Sequence, residues 1–297
     1  MKQLGVLLIL WMNCFAGYGQ AERLIRELHD PQTDQVLVIA HRGDWRNAPE
    51  NSLYAYQRAI DLGVDMIEVD LEKSKDGVLI ILHDHTLNRT TTGKGKPGDY
   101  TLAELKRLHL RDGLGAPTAN TIPTLTEVMQ LAKGKVLVNL DHSFPFYREA
   151  YEVVTQTSTL TQALFKADEP FEKLQAKYPD LLDKITFMPV VDLDTSAARG
   201  MLTTYLKKMK PVGTELVFAT DSSSIIRDTH FIQQAGTKVW VNTLWPDISG
   251  GHNDDLAVEY HDTKNSWDWV LAHGATMIQT DRPKELLDYL RKKHLHR

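Results

Sequence analysis

Short runs of β-branched and apolar residues alternate along the chain with segments whose apolar positions recur at helical spacing. The strand-like runs are VLVIA (36–40), MIEVD (66–70), VLVNL (136–140), QALFK (162–166), ITFMPV (185–190), ELVFA (215–219), VWVN (239–242) and TMIQT (276–280). Helical segments are expected between most of them, at 51–62, 124–133, 146–156, 170–178, 196–208, 222–235 and 283–293. Near-continuous apolar strands separated by helices belong to a parallel sheet covered on both faces. Eight such units predict an α/β fold closed as an eight-stranded (β/α)8 barrel of the TIM type. An open doubly wound sheet is the alternative, but no glycine-rich phosphate loop follows the first strand.

The second strand runs into IEVDLEKSKDGVLIILHD (67–84). Asp76-Gly77 signals a two-residue hairpin turn. Folding about that pair sets residue 70 opposite residue 83, so His83 returns to the level of Asp70. Two connections are too long for plain turns. One is an insertion at about 85–121, with a short helix expected at 101–108; the other, 243–265, contains SGGHNDD. Long connections in a compact domain are often functional. Both leave the C-terminal end of the barrel, where sites of such folds lie.

The chain has 297 residues, 25% charged and 42% hydrophobic, an ordinary globular composition. Its net charge of −5 argues against nucleic acid as a partner. Residues 1–20 differ: Lys2, an apolar run from Leu4 to Trp11, then small residues, the layout of a secretory signal peptide. Its removal leaves 21–297, exported to the periplasm or secreted, with no second apolar stretch of spanning length. The only cysteine, Cys14, lies within the signal, so disulfides and thiol catalysis are excluded from the remainder.

Polar residues gather where the strands end. Strand one leads into AHRGDWRNAPENS, with His41, Arg42, Glu50 and Asn51. Glu68 and Asp70 share one face of strand two, and Asn139 and Asp141 one face of strand three. Trp240 and Asn242 share a face of strand seven, and strand eight ends in QTDRP. Glu68, Asp70 and Asp141 would form an all-oxygen cluster, costly when buried unless a cation balances it. Such donors suit Ca²⁺ or Mg²⁺. Arg42 offers donors fitted to a phosphate, and His41 and His83 can serve as acid and base. Taken singly, each feature has a plainer reading: a loop, a solvated strand end, a capping pair, or core packing for Trp240. Together they describe phosphodiester cleavage.

At this point the chain resembles the glycerophosphodiester phosphodiesterases. AHRGDWRNAPENS, IEVDLEKSKDGVLIILHDHTLNRTTTGKG, IPTLTEV and IQTDRP carry the resemblance, densely over 38–142 and again at 238–283. It implies a barrel, a divalent cation, and hydrolysis of glycerophosphodiesters to an alcohol and glycerol 3-phosphate. By position, it implies that His41 and His83 are the acid/base pair and Arg42 the phosphate clamp. Glu68 and Asp70 match metal ligands, Glu50 matches an acid supporting the first loop, and the insertion resembles the family's capping subdomain. Strand three departs from the family pattern Asn-Ile-Glu-Ile-Lys. Here it reads NLDHS, so Asp141 stands for the metal-binding Glu and Ser143 for the Lys, with His142 between. Lys166 could supply the missing charge, and Lys166 and Trp240 are further candidate substrate contacts. The rivals are a sphingomyelinase D-like phospholipid-cleaving enzyme and a non-catalytic phosphate- or sugar-binding barrel.

Overall fold

The computed structural model describes residues 19–297; most of the expected signal segment, with Cys14, lies outside them. Eight parallel strands close on themselves: β1 (Leu37–Ala40), β2 (Met66–Lys73), β6 (Leu137–Asp141), β7 (Ala163–Ala167), β8 (Thr186–Asp192), β9 (Gly213–Val217), β10 (Lys238–Asn242) and β11 (Ala275–Thr280). β1 pairs with both β11 and β2, which completes the barrel. Helices separate most neighbouring strands, as the alternating pattern predicts.

Period-two alternation explains the interior. Leu37, Ile39, Met66, Leu137, Leu164, Met188, Trp240 and Met277 pack into one fully or nearly fully buried cluster, joined by Leu24 and Leu28 from the helical stretch at 19–29. Each such side chain is worth about 1.5–3 kcal/mol of burial. Two residues further along, the same face becomes polar on six of these seven strands, with His41, Glu68, Asn139, Lys166, Asn242 and Gln279 all buried, while β8 continues with Val190. Gly213 is part of the same alternation, because a Cβ there would sit 3.1 Å from Met277 Sδ and 3.2 Å from Met188 Sδ. Glu215 follows it two residues on. The barrel is therefore an apolar plug below and a polar chamber above.

The hairpin differs from expectation by one residue. β2 pairs antiparallel with β3 (Leu79–Ile81) in the register Leu71↔Ile81 and Lys73↔Leu79. Ser74 N–H donates to the Val78 carbonyl, so the turn spans three residues, with Gly77 at φ +83°. The Ser74 hydroxyl stabilises that wider turn by accepting from Val78 N–H. Leu82, rather than His83, therefore sits opposite Asp70, and His83 lies one step beyond the ladder.

The insertion folds over its own small core of Ile80, Leu82, Leu87, Leu105, Leu110 and Ile122. The expected helix is present over Leu102–Leu105, with a capping box from Thr101 and Glu104. A two-stranded ribbon, β4 (His109–Arg111) with β5 (Pro117–Thr121), was not expected. Among the described residues no helix is long and apolar enough to cross a membrane.

Candidate active site

The loop after β1 is set by a backbone device. Arg42 and Gly43 both have positive φ, 52° and 79°, and a Cβ on Gly43 would lie 2.7 Å from the Ala55 carbonyl carbon. Only glycine lets the loop press this closely on the helix Leu53–Leu62, which Ser52 caps by accepting from Ala55 N–H. Arg42 N–H then donates to Glu68 Oε2 at 2.8 Å. Asn51, also at positive φ, donates to Asp70 Oδ2 at 2.7 Å and accepts from the Tyr56 hydroxyl.

Glu68, Asp70 and Asp141 converge as expected, with one oxygen of each within 4.8 Å of the others. Glu68 is fully buried, and its Oε1 has no hydrogen-bond partner. Burial, then repulsion from Asp70 and Asp141, pushes its pKa well above the usual carboxylate range. An orphaned oxygen inside a cluster of like charges fits a bound cation, which supplies both the missing partner and the balancing charge. Asn139 is fully buried beside Glu68 in the strand register, with neither side-chain polar atom bonded.

Lys166 stands at one edge of this cluster. Its ammonium is 2.9 Å from Asp141 Oδ2 and 2.8 Å from Glu215 Oε2. Burial alone would lower its pKa, but Asp141 and Glu215 outweigh that and raise it, keeping Lys166 charged. Asp141 is correspondingly held low: burial opposes ionisation, but Lys166 and then His142 overcome it. Ser143, where the family pattern has its lysine, is buried with its hydroxyl on the Leu140 carbonyl. The neighbouring strand thus places an ammonium against the shortened acid. Lys166 lines a cavity of about 540 Å³ with Asp141, His142 and Glu215, yet its charge is already committed to two carboxylates.

Trp240 departs from its expected role as a substrate contact. It is fully buried in the apolar plug, its Nε1–H donating to Asn242 Oδ1, and it presents no surface to a substrate. Trp245, 42% exposed, has its ring 5.9 Å from that of His41.

Each candidate histidine has a carboxylate on the same ring nitrogen. His41 Nδ1 lies 2.7 Å from Asp281 Oδ1, which also accepts from Trp45 Nε1–H. His83 Nδ1 lies 2.8 Å from Asp84 Oδ1. Such contacts favour the proton on Nδ1 and leave Nε2 available. Arg89 fixes Asp84 through two bonds and holds its pKa far below the usual range. Arg89 also grips Glu50, and Glu50 accepts from Arg42 Nη1 at 3.0 Å. Glu50 thus ties the first loop to the insertion. Arg42 is mostly buried, and its Nε lies 3.5 Å from Asp70 Oδ2. Burial pulls its pKa down, but Asp70, Glu50 and Glu68 raise it overall.

Asp281, Glu215, Arg89 and His142 were not among the expected site residues. Glu215 was within reach of period-two reasoning, since it follows the inward Gly213. Asp281 lay in the quoted QTDRP, but only the fold brings it across to His41, 240 residues away in sequence.

Sequence comparison bears on the family. The chain is 48% identical over 109 residues to the glycerophosphodiester phosphodiesterase of Caldanaerobacter subterraneus, covering 36% of this chain and 45% of that protein. It is 45% identical over 75 residues to the Bacillus subtilis enzyme of the same name, covering 25% and 26%. It is 30% identical over 171 residues to human glycerophosphodiester phosphodiesterase 1, covering 53% and 44%. The matched relatives are glycerophosphodiester phosphodiesterases. The resemblance read from the motifs is thereby supported, although the chain spans less than half the length of these curated relatives. A family model described as a domain of unknown function matches residues 187–290. Solved structures agree on the barrel. A glycerophosphoryl diester phosphodiesterase from Parabacteroides distasonis aligns with TM-score 0.76 at 22% identity, over 92% of both chains. An Oleispira antarctica phosphodiesterase, in complex with the product sn-glycerol-3-phosphate, aligns with TM-score 0.61 at 24% identity, over 86% of this chain and 96% of that one.

Proposed function

We propose that this chain hydrolyses glycerophosphodiesters to an alcohol and glycerol 3-phosphate, with a divalent cation held by Glu68, Asp70 and Asp141. The observation that carries the reading is the buried trio of carboxylates with the orphaned Glu68 oxygen, at the barrel end that also holds His41 and Arg42. The all-oxygen donor set favours Ca²⁺ or Mg²⁺. When bound, that cation supplies Lewis-acid polarisation of a phosphoryl oxygen.

The chain's own residues do the remaining work. Arg42, kept charged by the surrounding acids, offsets negative charge that develops on the phosphoryl group. One imidazole takes a proton at Nε2 from the attacking oxygen, water or a neighbouring glycerol hydroxyl. The other delivers a proton to the alcohol oxygen as its bond to phosphorus breaks. Asp281 and Asp84 hold the two rings and stabilise each while it carries the extra proton. With water as the net co-substrate, one P–O bond forms and one breaks.

Export is part of the proposal and rests on the sequence alone, on Lys2 and the apolar run that follows. The supporting experiment is a panel of glycerophosphodiesters and sphingomyelin, with products followed by phosphorus NMR. Release of glycerol 3-phosphate from the former supports the reading. Cleavage of sphingomyelin alone would favour the phospholipid-cleaving rival, and no cleavage with tight phosphate binding the non-catalytic one.

A further inference from the structure

Period-two alternation should direct residue 142 away from the barrel interior, because Asp141 points inward. His142 does the opposite. It has φ +51°, a left-handed backbone that non-glycine residues adopt uncommonly, and its N–H donates back to Asp141 Oδ1. That turn brings its Nδ1 to 3.9 Å from Asp70 Oδ1 and its ring centroid to 5.4 Å from that of His83. One ligand atom from each of Asp70, His83 and His142 lies within 4.8 Å of the other two.

We propose a second metal site on Asp70, His83 and His142, distinct from the oxygen cluster but sharing Asp70 with it, and suited to a nitrogen-preferring ion such as Zn²⁺. Two imidazoles and one carboxylate are the donors that select Zn²⁺ over Ca²⁺ or Mg²⁺. Three protein ligands with a position left open is the usual form of a zinc site that admits an exchangeable ligand. His83 is prepared for this role, because its Nδ1 is already held by Asp84, the outer-shell arrangement that metal-binding histidines show. Donors around one tetrahedral zinc stand about 3.3 Å apart, given bonds of about 2.0–2.1 Å. The trio must therefore contract by up to about 1.5 Å. The side chains of His83 and His142 are 35% and 43% exposed, which leaves them room to do so.

The site has a functional consequence, which rests on the hydrolase reading above. Zinc there engages the His83 nitrogen that would otherwise carry a proton. Zinc therefore competes with catalysis by occupying His83.

The test has a binding arm that needs no turnover. Co²⁺ is titrated into calcium-loaded protein, followed by visible ligand-field bands and by calorimetry. The expected result is one tight cobalt per chain with bands characteristic of nitrogen ligation. His142→Asn tolerates the left-handed backbone, and is expected to weaken that binding by at least about 100-fold, beyond the 10–100-fold typical of outer-shell losses. Glu68→Gln should retain the bands while losing calcium affinity. Circular dichroism confirms that the variants are folded. Cobalt binding of unchanged affinity and spectrum in His142→Asn overturns the site. In the second arm Zn²⁺ is added to calcium-supported turnover; inhibition should need at least about 10-fold more zinc in His142→Asn than in wild type. Equal zinc sensitivity of the two proteins overturns the functional consequence. A protein with no hydrolysis but intact cobalt binding contradicts the hydrolase reading and leaves the metal site standing.

Discussion

Replacing Lys166 by methionine is predicted to destabilise the protein through charge rather than through volume. Methionine approximates the length and flexibility of the lysine stem, so packing around Trp240 should survive. What is lost is the ammonium between Asp141 and Glu215, at 2.9 and 2.8 Å, with only 4% of the lysine side chain exposed. Removing one partner of a buried pair typically costs about 3–5 kcal/mol, because the remaining charge has no counterpart. Here two carboxylates are left, beside Glu68 and Asp70. A chain of 297 residues has a melting entropy of about 0.6 kcal/mol/K, so the loss corresponds to a drop of about 5–8 °C. Urea unfolding and thermal melts, both in chelator, measure it. Divalent cation should then stabilise Lys166→Met more than wild type, since it replaces part of the missing positive charge. Glu215→Gln added to Lys166→Met should recover part of the loss. A single variant melting within about 1 °C of wild type in chelator would refute the assignment of Lys166 as the counter-charge of this cluster.

Three further outcomes follow from the same geometry. His41→Ala and His83→Ala should each lose about 10²–10⁴-fold in turnover, the range for a positioned acid or base; the double variant should lose less than the product of the two. Near wild-type rates in either folded single variant would remove that histidine from proton transfer. Asp141→Glu is expected to lower activity and metal affinity, because the added methylene drives the carboxylate against Lys166; improved calorimetric affinity would show instead that the shorter acid is mere drift. Asp254 is fully buried among Thr243, Trp267, Thr280 and the Asp281 amide, and burial lifts its pKa to about 6. The native state thus binds its proton more tightly than the unfolded chain. Stability from this group is full below about pH 4 and is lost as pH rises through about 6, by about 3 kcal/mol. Melting curves of wild type and Asp254→Asn across that window should diverge in slope; parallel curves would contradict the raised pKa.

The barrel was legible because its strands are buried on both faces. Apolar content alone located seven of the eight to within two residues at each end, β2 running three residues further to Lys73, and the carboxylate trio followed from alternation on β2 and β6. Local polar devices were less visible. The hairpin register moved by one because the Ser74 hydroxyl favours a three-residue turn over the two-residue one that Asp76-Gly77 signals. β5 reads PTANT, with no apolar alternation, and is held by pairing with β4 around the insertion core. The segment expected as one helix at 222–235 is two, Ser224–Arg227 and His230–Gln234, separated at Asp228-Thr229. Trp240 was misassigned because a tryptophan two residues before the chamber-lining Asn242 shares its face but not its depth. His41–Asp281 and Lys166–Glu215 join residues far apart in sequence, and only barrel closure sets them side by side.

The most direct measurement is turnover of a glycerophosphodiester by wild type and Glu68→Gln, each freed of metal and then titrated with Ca²⁺ or Mg²⁺. Glu68→Gln keeps the shape of the side chain and removes its charge, so it addresses the cluster rather than the fold. The account predicts that metal-free wild type is inactive, that added cation restores release of glycerol 3-phosphate, and that Glu68→Gln stays nearly inactive at every cation concentration while melting like a folded protein. Full turnover by wild type in excess chelator, or by Glu68→Gln under any condition, would contradict it.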